Sequence, residues 1–414
     1  MANEKLLNAI RETNPWWSGK WEIEIKDRLI LQDMKPYLKL RQIIAVSGLR
    51  RVGKTFLLYR LITDLLKSTS AENILYFSFD DFENEEIANV LDAYSLIHHK
   101  MPQYLFLDEV QKIDNWHEKI KRIYDTHKIK IFISGSESLF IRKKTKETLA
   151  GRIFEFHLKQ LSFKEYLQFK KFSKNHLLYK KELAALFIHY ILTGGFPELI
   201  DISDKLVIKK YVKEVIVEKA IFADIPKIFK IEDPSILKTI LDIIIDSPGL
   251  IIELNSLSKE LGLARQTLSK YLYYLEVALL VKKLYNYSRN RSTSEKKLKK
   301  YYLTFPSTAL SFKDDAEYTS RVVENLVVVA KNADYFWRTP QKDEVDIILV
   351  ENNKPLPIEV KYSSKINLGT DLNSIKKFME RYSVKKGYAV TNDFSKEEEN
   401  IKLIPLIDFL LNEC

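Results

Sequence analysis

The sequence predicts an α/β protein whose first region is a parallel sheet with helices on both faces. Apolar runs typical of buried strands alternate there with stretches of helical periodicity. The strand-like runs are 42–46, 73–79, 104–107, 130–133 and 153–158, and the helical stretches are 56–67, 85–98 and 116–126. Because parallel strands present their carboxyl ends at one edge of a sheet, we expect a ligand at that edge.

Length and composition set the general class of protein. A chain of 414 residues with 46% hydrophobic residues indicates about two or three globular domains. The sequence has no run of about 18 uncharged apolar residues and no signal-peptide core, so we expect a cytoplasmic protein without a membrane partner. The single cysteine, Cys414, excludes intrachain disulfides and cysteine-based zinc sites.

The chain is basic, with 66 Lys and Arg residues against 56 Asp and Glu residues, a formal net charge of +10 and a pI of about 9.1. This balance favours polyanionic partners such as nucleic acid. A solvated, lysine-rich surface without a partner explains it nearly as well.

A glycine-rich segment after the first strand-like run matches the phosphate-binding pattern G-x-x-x-x-G-K-[ST] at Gly48, Gly53, Lys54 and Thr55. The glycines allow backbone N–H groups to surround a triphosphate at a helix N-terminus. Lys54 would reach the β- and γ-phosphates, and the Thr55 hydroxyl would hold Mg²⁺. ATP and Mg²⁺ are therefore the expected ligands.

Acidic residues close the third strand-like run, as in the Walker B pattern. Asp108 would lie beside the Mg²⁺ shell, and Glu109 would orient and polarise the attacking water. Ser136, after the fourth run, would contact the γ-phosphate. Arg152, before the fifth, is a candidate nucleotide-sensing or trans-acting arginine, although a surface role explains it equally well.

These motifs stand in one order along the chain with several others. They are residues 14–17, 48–55, 107–111, 134–136, 150–152, 161–166 and 194–198. Together they resemble archaeal and bacterial AAA+-type ATPases that carry a further C-terminal domain, and the resemblance covers essentially the whole chain. It implies a RecA-like fold with an additional strand, a helical lid, and arginine contacts between domains or within a homo-oligomer.

Two helical regions follow the nucleotide domain. Residues 162–229 are largely helical and are expected to form the lid, whereas 236–245, 254–261 and 264–275, followed by a strand at 280–285, have the order of a winged helix-turn-helix. A structural or protein-contacting role is the alternative to DNA binding. The predicted DNA contacts come from the third helix and from a basic wing at 288–300, and they are Arg265, Gln266, Thr267, Lys270, Lys296 and Lys297.

The final region contains a second chemical signal. Asp346 lies on one strand-like run, and alternation places Glu359 and Lys361 on one face of the next. The carboxylates would bind Mg²⁺ or Mn²⁺ for phosphodiester hydrolysis. Lys361 would activate water or stabilise the pentacoordinate phosphate. Glu324, on the preceding helix, would be a further metal ligand.

The order of helix glutamate, aspartate and E-x-K resembles the PD-(D/E)XK nucleases, especially archaeal Holliday-junction resolvases. The resemblance implies a restriction-endonuclease-like α/β domain acting on branched DNA. The strand at 300–305 lacks an acid that often occurs there in that family. Two alternatives explain the same pattern. It is a chance match in a lysine-rich protein, or the domain is a scaffold that retains the acids without activity.

We therefore expect a P-loop ATPase core (1–160), a helical lid (161–233), a winged helix-turn-helix (234–305) and a nuclease-like domain (306–414). The sequence favours an ATP-hydrolysing DNA-processing enzyme with a metal-dependent endonuclease site. The alternative is a regulatory NTPase switch whose C-terminal domains are inactive modules that bind DNA or protein.

Overall fold

The computed structural model describes residues 4–83, 85–135, 147–173, 178–296, 298–311, 313, 315–362 and 367–412. The chain forms two structural units, Met1–Lys159 and Gln160–Cys414. Within these described ranges, none of the helices combines the length and the apolar character that a membrane crossing needs.

A five-stranded parallel sheet forms the centre of the first unit, and this confirms the predicted parallel α/β sheet. Its order is β2-β3-β4-β1-β5. The strands are β1 (Ile43–Ser47), β2 (Ile74–Ser78), β3 (Tyr104–Asp108), β4 (Lys130–Gly135) and β5 (Ile153–His157). Strand β4 lies between the strand that precedes the glycine loop and the strand that ends in Asp108. Strands β1 to β4 are largely buried and apolar because both faces of the sheet are covered, whereas β5, at the edge, is only partly buried.

Helices cover the two faces of this sheet. They are α1 (Glu4–Thr13), α2 (Ile30–Met34), α3 (Lys54–Leu65), α4 (Ile87–His98) and α5 (Trp116–Thr126). Leu75, Leu105 and Ile131 point to the face packed against α1, α4 and α5. On the other face, the ring of Tyr59 from α3 lies 5.0 Å from that of Tyr76 in β2. The alternation of side chains along each strand therefore supplies both cores.

The second unit begins with the helical region expected from the sequence. Its helices are α6 (Phe163–Phe169), α7 (Lys180–Thr193), α8 (Lys205–Lys210) and α9 (Ile225–Ile228), with π-helical turns at Tyr211–Glu218 and Ala220–Asp224. Apolar side chains of this region share a core with the C-terminal strands and the last helix, for example Phe163 and Tyr190 with Val360 and Phe409. The expected lid is thus packed within the second unit.

Three helices and three short strands follow. They are α10 (Pro234–Asp246), β6 (Leu250–Ile252), α11 (Leu254–Glu260), α12 (Arg265–Val277), β7 (Val281–Asn286) and β8 (Lys299–Leu303). The strands pair antiparallel in the order β7-β8-β6, and α12 contacts both α10 and α11. The segment between β7 and β8, expected to be a loop, contains the short helix α13 (Arg291–Lys296).

A nine-stranded sheet, ordered β13-β14-β12-β11-β10-β9-β7-β8-β6, runs through the rest of this unit. Its remaining strands and flanking helices are α14 (Ala316–Ala330), β9 (Tyr335–Arg338), β10 (Glu344–Glu351), β11 (Lys354–Lys361), α15 (Asn373–Tyr382), β12 (Gly387–Thr391), β13 (Lys396–Glu398), β14 (Ile401–Pro405) and α16 (Leu406–Leu411). Because β7 pairs parallel with β9, the segments 234–305 and 306–414 share one sheet.

Candidate nucleotide site and C-terminal charge cluster

The glycine loop lies at the carboxyl edge of the first sheet and is held tightly against it. A Cβ atom at Gly48 would lie 2.3 Å from the carbonyl oxygen of Leu158, so only glycine fits there. The buried guanidinium of Arg28 donates hydrogen bonds of 2.8 Å to the carbonyl oxygens of Val52 and Lys159. Gly53, with φ of 95°, caps α3 in the left-handed region that glycine tolerates.

Lys54 directs its ammonium into this loop. Its side chain is 6% exposed, and Nζ donates to the carbonyl oxygens of Gly48 and Leu49 at 3.2 and 3.1 Å. The same Nζ lies 3.8 Å from Oε1 of Glu109. A cation at the centre of a glycine loop is suited to the phosphates of a nucleotide.

Asp108 is oriented by several donors. The Thr55 and Tyr76 hydroxyls donate to Oδ2 at 2.6 and 3.0 Å. The Ser134 hydroxyl and the Glu109 backbone N–H donate to Oδ1, the latter at 3.1 Å. The paired oxygen atoms of Thr55 and Asp108 are the hard ligands that Mg²⁺ prefers, and the site therefore fits this ion.

Glu109 lies opposite Lys54 in an uncommon backbone conformation. Its φ of 55° is in the left-handed region, which costs a residue with a side chain about 1–3 kcal/mol. Oε2 accepts a hydrogen bond from the Gln111 side-chain amide. The carboxylate is 25% exposed, so water can reach it. This placement suits a group that orients and deprotonates water.

The structure brings most of the predicted nucleotide residues to one edge of the sheet, but it does not bring Arg152 there. The Arg152 carbonyl oxygen accepts from Ile43 N–H at the start of β1, which is the amino edge of the parallel strands. Its guanidinium Nε donates to Asp125 at 3.0 Å. Arg152 therefore does not contact the nucleotide site of its own chain. Ser136 lies outside the described residues.

Three further side chains contribute to this site without having been assigned to it from the sequence: Arg28, Tyr76 and Ser134. Tyr76 is a polar aromatic residue within the apolar run of β2, the strand that pairs with β3. That was a usable signal, since a buried phenol needs a hydrogen-bond partner. Burial and the nearby Asp108 carboxylate raise the pKa of Tyr76 well above its usual value, so the phenol stays protonated and acts as a donor. The sequence around Arg28 contains no comparable feature that indicates its contact with the glycine loop.

In the second unit, the predicted acidic cluster contains a lysine that the sequence did not assign to it. Lys300, in β8, is 4% exposed. Its Nζ lies 2.5 Å from Glu344 Oε1, 3.2 Å from Glu324 Oε1 and 3.8 Å from Asp346 Oδ1. The continuous sheet brings this ammonium among the acids, because β8, β9 and β10 belong to the same sheet.

Electrostatics keep the lysine charged. Burial alone would lower the pKa of Lys300, but the carboxylates, led by Glu324, outweigh burial and raise it well above its usual value. Burial, with Glu324 and Glu359 adding to it, raises the pKa of Asp346. Burial likewise raises the pKa of Glu359, although Lys361 opposes it. The cluster is therefore a set of carboxyl groups arranged around an internal cation.

The remaining predicted nuclease residues lie beside this cation. Asp346 Oδ2 accepts from the Val360 N–H at 2.8 Å, and Lys361 Nζ is 2.8 Å from Glu359 Oε1. Glu359 Oε2 is buried and has no hydrogen-bond partner among the described residues. Throughout the residues that the structure describes, no group of three or more His, Cys, Asp or Glu side chains is placed to hold a metal ion.

The expectation that Glu324, Asp346 and Glu359 bind a metal is therefore not supported. The physical reason is the ammonium of Lys300, which lies within salt-bridge distance of Glu324 and Asp346. A divalent cation bound by these carboxylates would be repelled by that charge at close range.

The predicted DNA-contacting residues of α12 are largely on the surface. Arg265, Gln266 and Lys270 are exposed, and Thr267 is half-buried. Within the described part of the chain, the structure has no ion pair for Arg265 or Lys270. The predicted contacts on the wing are not placed, because the side chain of Lys296 and all of Lys297 lie outside the described residues.

Comparison with protein families gives three matches along the chain. Residues 40–167 match an AAA domain. Residues 184–312 and 318–409 match two domains of unknown function, DUF8612 and DUF4143. An uncharacterized protein of Methanocaldococcus jannaschii is 29% identical over 410 residues, covering 94% of this chain and 87% of the relative. An uncharacterized protein of Haemophilus influenzae is 26% identical over 400 residues, covering 92% of this chain and 97% of the relative.

Solved structures resemble the chain only distantly. The Aeropyrum pernix ORC1 protein in complex with DNA is 11% identical, covers 75% of this chain and 95% of its own, and has a TM-score of 0.33. A signal transduction ATPase with numerous domains from Pyrococcus horikoshii is 13% identical and has a TM-score of 0.30. The match covers 76% of this chain and 49% of that structure's chain. Scores this low do not establish a shared fold. Residues 40–167, which contain the glycine loop and Asp108, are similar to an AAA domain.

Proposed function

We propose that this protein is a Mg²⁺-dependent ATPase that acts as a nucleotide-driven switch for a DNA-binding module, and that its C-terminal acidic cluster does not cut DNA. One observation carries the ATPase proposal. Lys54, Thr55, Asp108 and Glu109, from two separated motifs, converge at the carboxyl edge of one parallel sheet. This is the edge at which ligands bind in parallel α/β sheets.

Each residue has a distinct role in this proposal. The backbone N–H groups of the glycine loop and Lys54 bind the β- and γ-phosphates, and Arg28 holds that loop in place. Thr55 and Asp108 hold Mg²⁺, which offsets the charge of the phosphates. Glu109 orients the attacking water and accepts its proton. The AAA match also favours assembly into a homo-oligomer.

The DNA-binding proposal rests on the second unit. Helices α10 to α12 and the β7-β8-β6 sheet follow one another in the order of a winged helix-turn-helix. The exposed Arg265, Gln266 and Lys270 lie in the first half of α12, which corresponds to the recognition helix in that arrangement. Their positive charge is suited to phosphate contact in duplex DNA.

The Lys300 ammonium favours an inactive C-terminal domain over the endonuclease that the sequence favours. The endonuclease alternative is supported by Oε2 of Glu359, which is buried and has no hydrogen-bond partner within the described ranges. Such an oxygen would gain a partner if a metal ion displaced Lys300. That displacement would also require separating Lys300 from three carboxylates, which is costly for buried charges.

The experiment measures ATP hydrolysis, DNA binding and DNA cleavage by the same preparations. We expect Lys54→Ala to abolish hydrolysis, and Arg265→Gln with Lys270→Gln to weaken duplex binding about tenfold while leaving basal hydrolysis intact. A matched pair of exposed lysines, Lys342→Gln with Lys402→Gln, should leave both unchanged. Cleavage of branched or duplex DNA in Mg²⁺ or Mn²⁺ that disappears in Asp346→Asn would overturn the inactive assignment and establish the endonuclease.

A further inference from the structure

A large cavity in the second unit lies apart from the charge cluster. Its volume is about 990 Å³, at the upper end of the range of about 300–1,000 Å³ for ligand sites. The β10–β11 turn, the end of α15 and the segment that follows β7 form its walls. At the turn, Asn352 and Asn353 both have positive φ, which makes a tight hairpin and places Lys354 at the rim.

The cavity is electropositive. Four basic side chains and one acidic side chain line it, a net charge of +3; they are Arg289, Lys354, Lys385, Lys386 and Glu351. The three lysines are exposed. Across the described residues, the structure has no ion pair for any of the four basic groups. Their charge is therefore available to an anionic ligand.

Aromatic rings also line the cavity. Tyr287 lies 5.7 Å from Tyr335 and 5.2 Å from Tyr382, measured between ring centroids. Tyr335 and Tyr382 are half-buried. The Arg289 guanidinium lies 5.7 Å from the Tyr382 ring and donates to the Tyr382 carbonyl oxygen at 3.1 Å. This pairing holds both an aromatic face and a cation at the cavity.

A buried hydroxyl also lines the cavity. Ser294 is 2% exposed, and its Oγ has no hydrogen-bond partner in the described part of the chain. Leaving a buried hydroxyl unpaired costs about 1–3 kcal/mol. A ligand group that hydrogen-bonds this hydroxyl would remove that cost.

We propose that this cavity binds single-stranded nucleic acid. Bases would stack on the exposed parts of Tyr335 and Tyr382, and the lysines with Arg289 would contact phosphates, the combination by which proteins bind single strands without sequence preference. Duplex DNA hides its base faces, and the Asp and Glu side chains of an acidic peptide carry no aromatic ring to stack on the tyrosines, so both fit this cavity less well. The proposal depends neither on α12 nor on the ATPase site.

The test measures binding of a fluorescent oligothymidylate of about twelve nucleotides to the full chain by anisotropy across a salt series. Lys354→Gln with Lys385→Gln should weaken binding about tenfold and reduce the slope of log K against log salt by about 1.4, since each single-strand phosphate contact contributes about 0.7. The matched pair Lys342→Gln with Lys402→Gln should change neither. Lys354→Arg with Lys385→Arg should bind like the wild type.

Further measurements separate stacking from charge. Tyr335→Leu should weaken binding at least about fivefold while leaving the salt slope unchanged, because base stacking is largely independent of salt. Circular dichroism melting identifies a variant that has lost its fold, and only folded variants are compared. An unchanged affinity in the folded lysine variant would overturn the proposal, as would equal affinity for polyglutamate. Equal affinity for a duplex of the same length would also overturn it when measured in the Arg265→Gln with Lys270→Gln variant, which removes the proposed duplex contacts of α12. Loss of oligothymidylate binding in Arg265→Gln with Lys270→Gln, but not in the cavity variant, would place the single strand on α12 instead.

Discussion

The Thr55 hydroxyl donates a 2.6 Å hydrogen bond to the Asp108 carboxylate across 53 residues of sequence. This contact links the start of α3 to the end of β3, and it passes in front of β4, the strand that separates β1 from β3. The Thr55 hydroxyl and the Asp108 carboxylate, the two proposed Mg²⁺ ligands, therefore already lie together although they come from different motifs. Hydrogen-bond donors of the protein orient the carboxylate. Such preorganisation favours binding of Mg²⁺ with the nucleotide rather than after a rearrangement.

Replacing Glu109 with glutamine should separate ATP binding from hydrolysis. The amide keeps the size of the side chain but cannot accept a proton, and general-base catalysis contributes about 10²- to 10⁴-fold. We expect ATP hydrolysis to fall at least about a hundredfold while binding of a fluorescent ATP analogue is retained. Phosphate release and equilibrium titration are the two measurements.

The matched control for this prediction is Glu118→Gln, at an exposed acid in α5. Its hydrolysis rate should equal that of the wild type. If Glu109→Gln hydrolysed ATP at the normal rate, another group would have to activate the water.

Removing the Tyr76 hydroxyl should weaken Mg²⁺ binding. Tyr76→Phe deletes the 3.0 Å hydrogen bond to Asp108 Oδ2 but keeps the buried ring. Groups that orient metal ligands typically influence metal affinity about 10- to 100-fold. We expect the Mg²⁺ concentration for half-maximal hydrolysis to rise about tenfold. Tyr94→Phe is the control, since that buried hydroxyl donates to the carbonyl oxygen of Glu72 instead; an equal effect in both variants would mean that lost stability, not Asp108, is responsible.

Arg28→Lys should loosen the glycine loop. Lysine keeps the charge but cannot reproduce the two guanidinium hydrogen bonds to Val52 and Lys159. A buried carbonyl left unpaired costs about 1–3 kcal/mol, and we expect ATP affinity to fall about tenfold, measured by titration calorimetry. Arg60→Lys, which alters a surface ion pair with Asp27, should leave ATP affinity unchanged. Normal affinity in Arg28→Lys would show that the loop holds its shape without this arginine.

The first sheet could be predicted from sequence because its signals are local. Apolar runs punctuated by helical stretches specify strands and helices, and the glycine loop and Asp108 mark the edge where the ligand binds. Tyr76 and Arg28 were missed because their roles depend on which atoms face them across the fold. Arg152 was assigned to the nucleotide from its motif alone, whereas the parallel direction of β5 places it at the opposite edge.

The C-terminal cluster shows a different limit. The acids stand in a recognisable order, but Lys300 is one lysine among many in a basic stretch, and alternation does not reveal its partners. Only the pairing of β7 with β9 joins its strand to the sheet that holds Asp346. Long-range strand pairing therefore places the Lys300 ammonium among these acids. We call this arrangement, in which the lysine offsets the charge of the carboxylates, the neutralised cluster.

Lys300→Met should destabilise the second unit, and the loss should grow as pH rises. Removing one partner from buried ion pairs costs about 3–5 kcal/mol. The pKa values of Asp346 and Glu359 are raised by burial and by neighbouring carboxylates, and Lys300 opposes this. A carboxyl group with a raised pKa holds its proton longer in the folded state, so its stabilising effect is present at low pH and is lost as pH rises through that pKa.

Without the Lys300 ammonium, both carboxyl pKa values should rise further, and the loss of stability should extend to higher pH. Urea unfolding at about pH 5 and pH 8 measures this, with the larger difference from wild type expected at pH 8. Lys282→Met is the control on the neighbouring strand; its exposed pair with Asp334, at 3.3 Å, is worth about 0–1 kcal/mol and should give the same small effect at both pH values. Equal stability of Lys300→Met and wild type at pH 8 would contradict the neutralised cluster. Buried carboxyl groups that have lost their cation either stay ionised without a partner or keep a proton that they lose in the unfolded chain, and both lower the free energy of unfolding at pH 8.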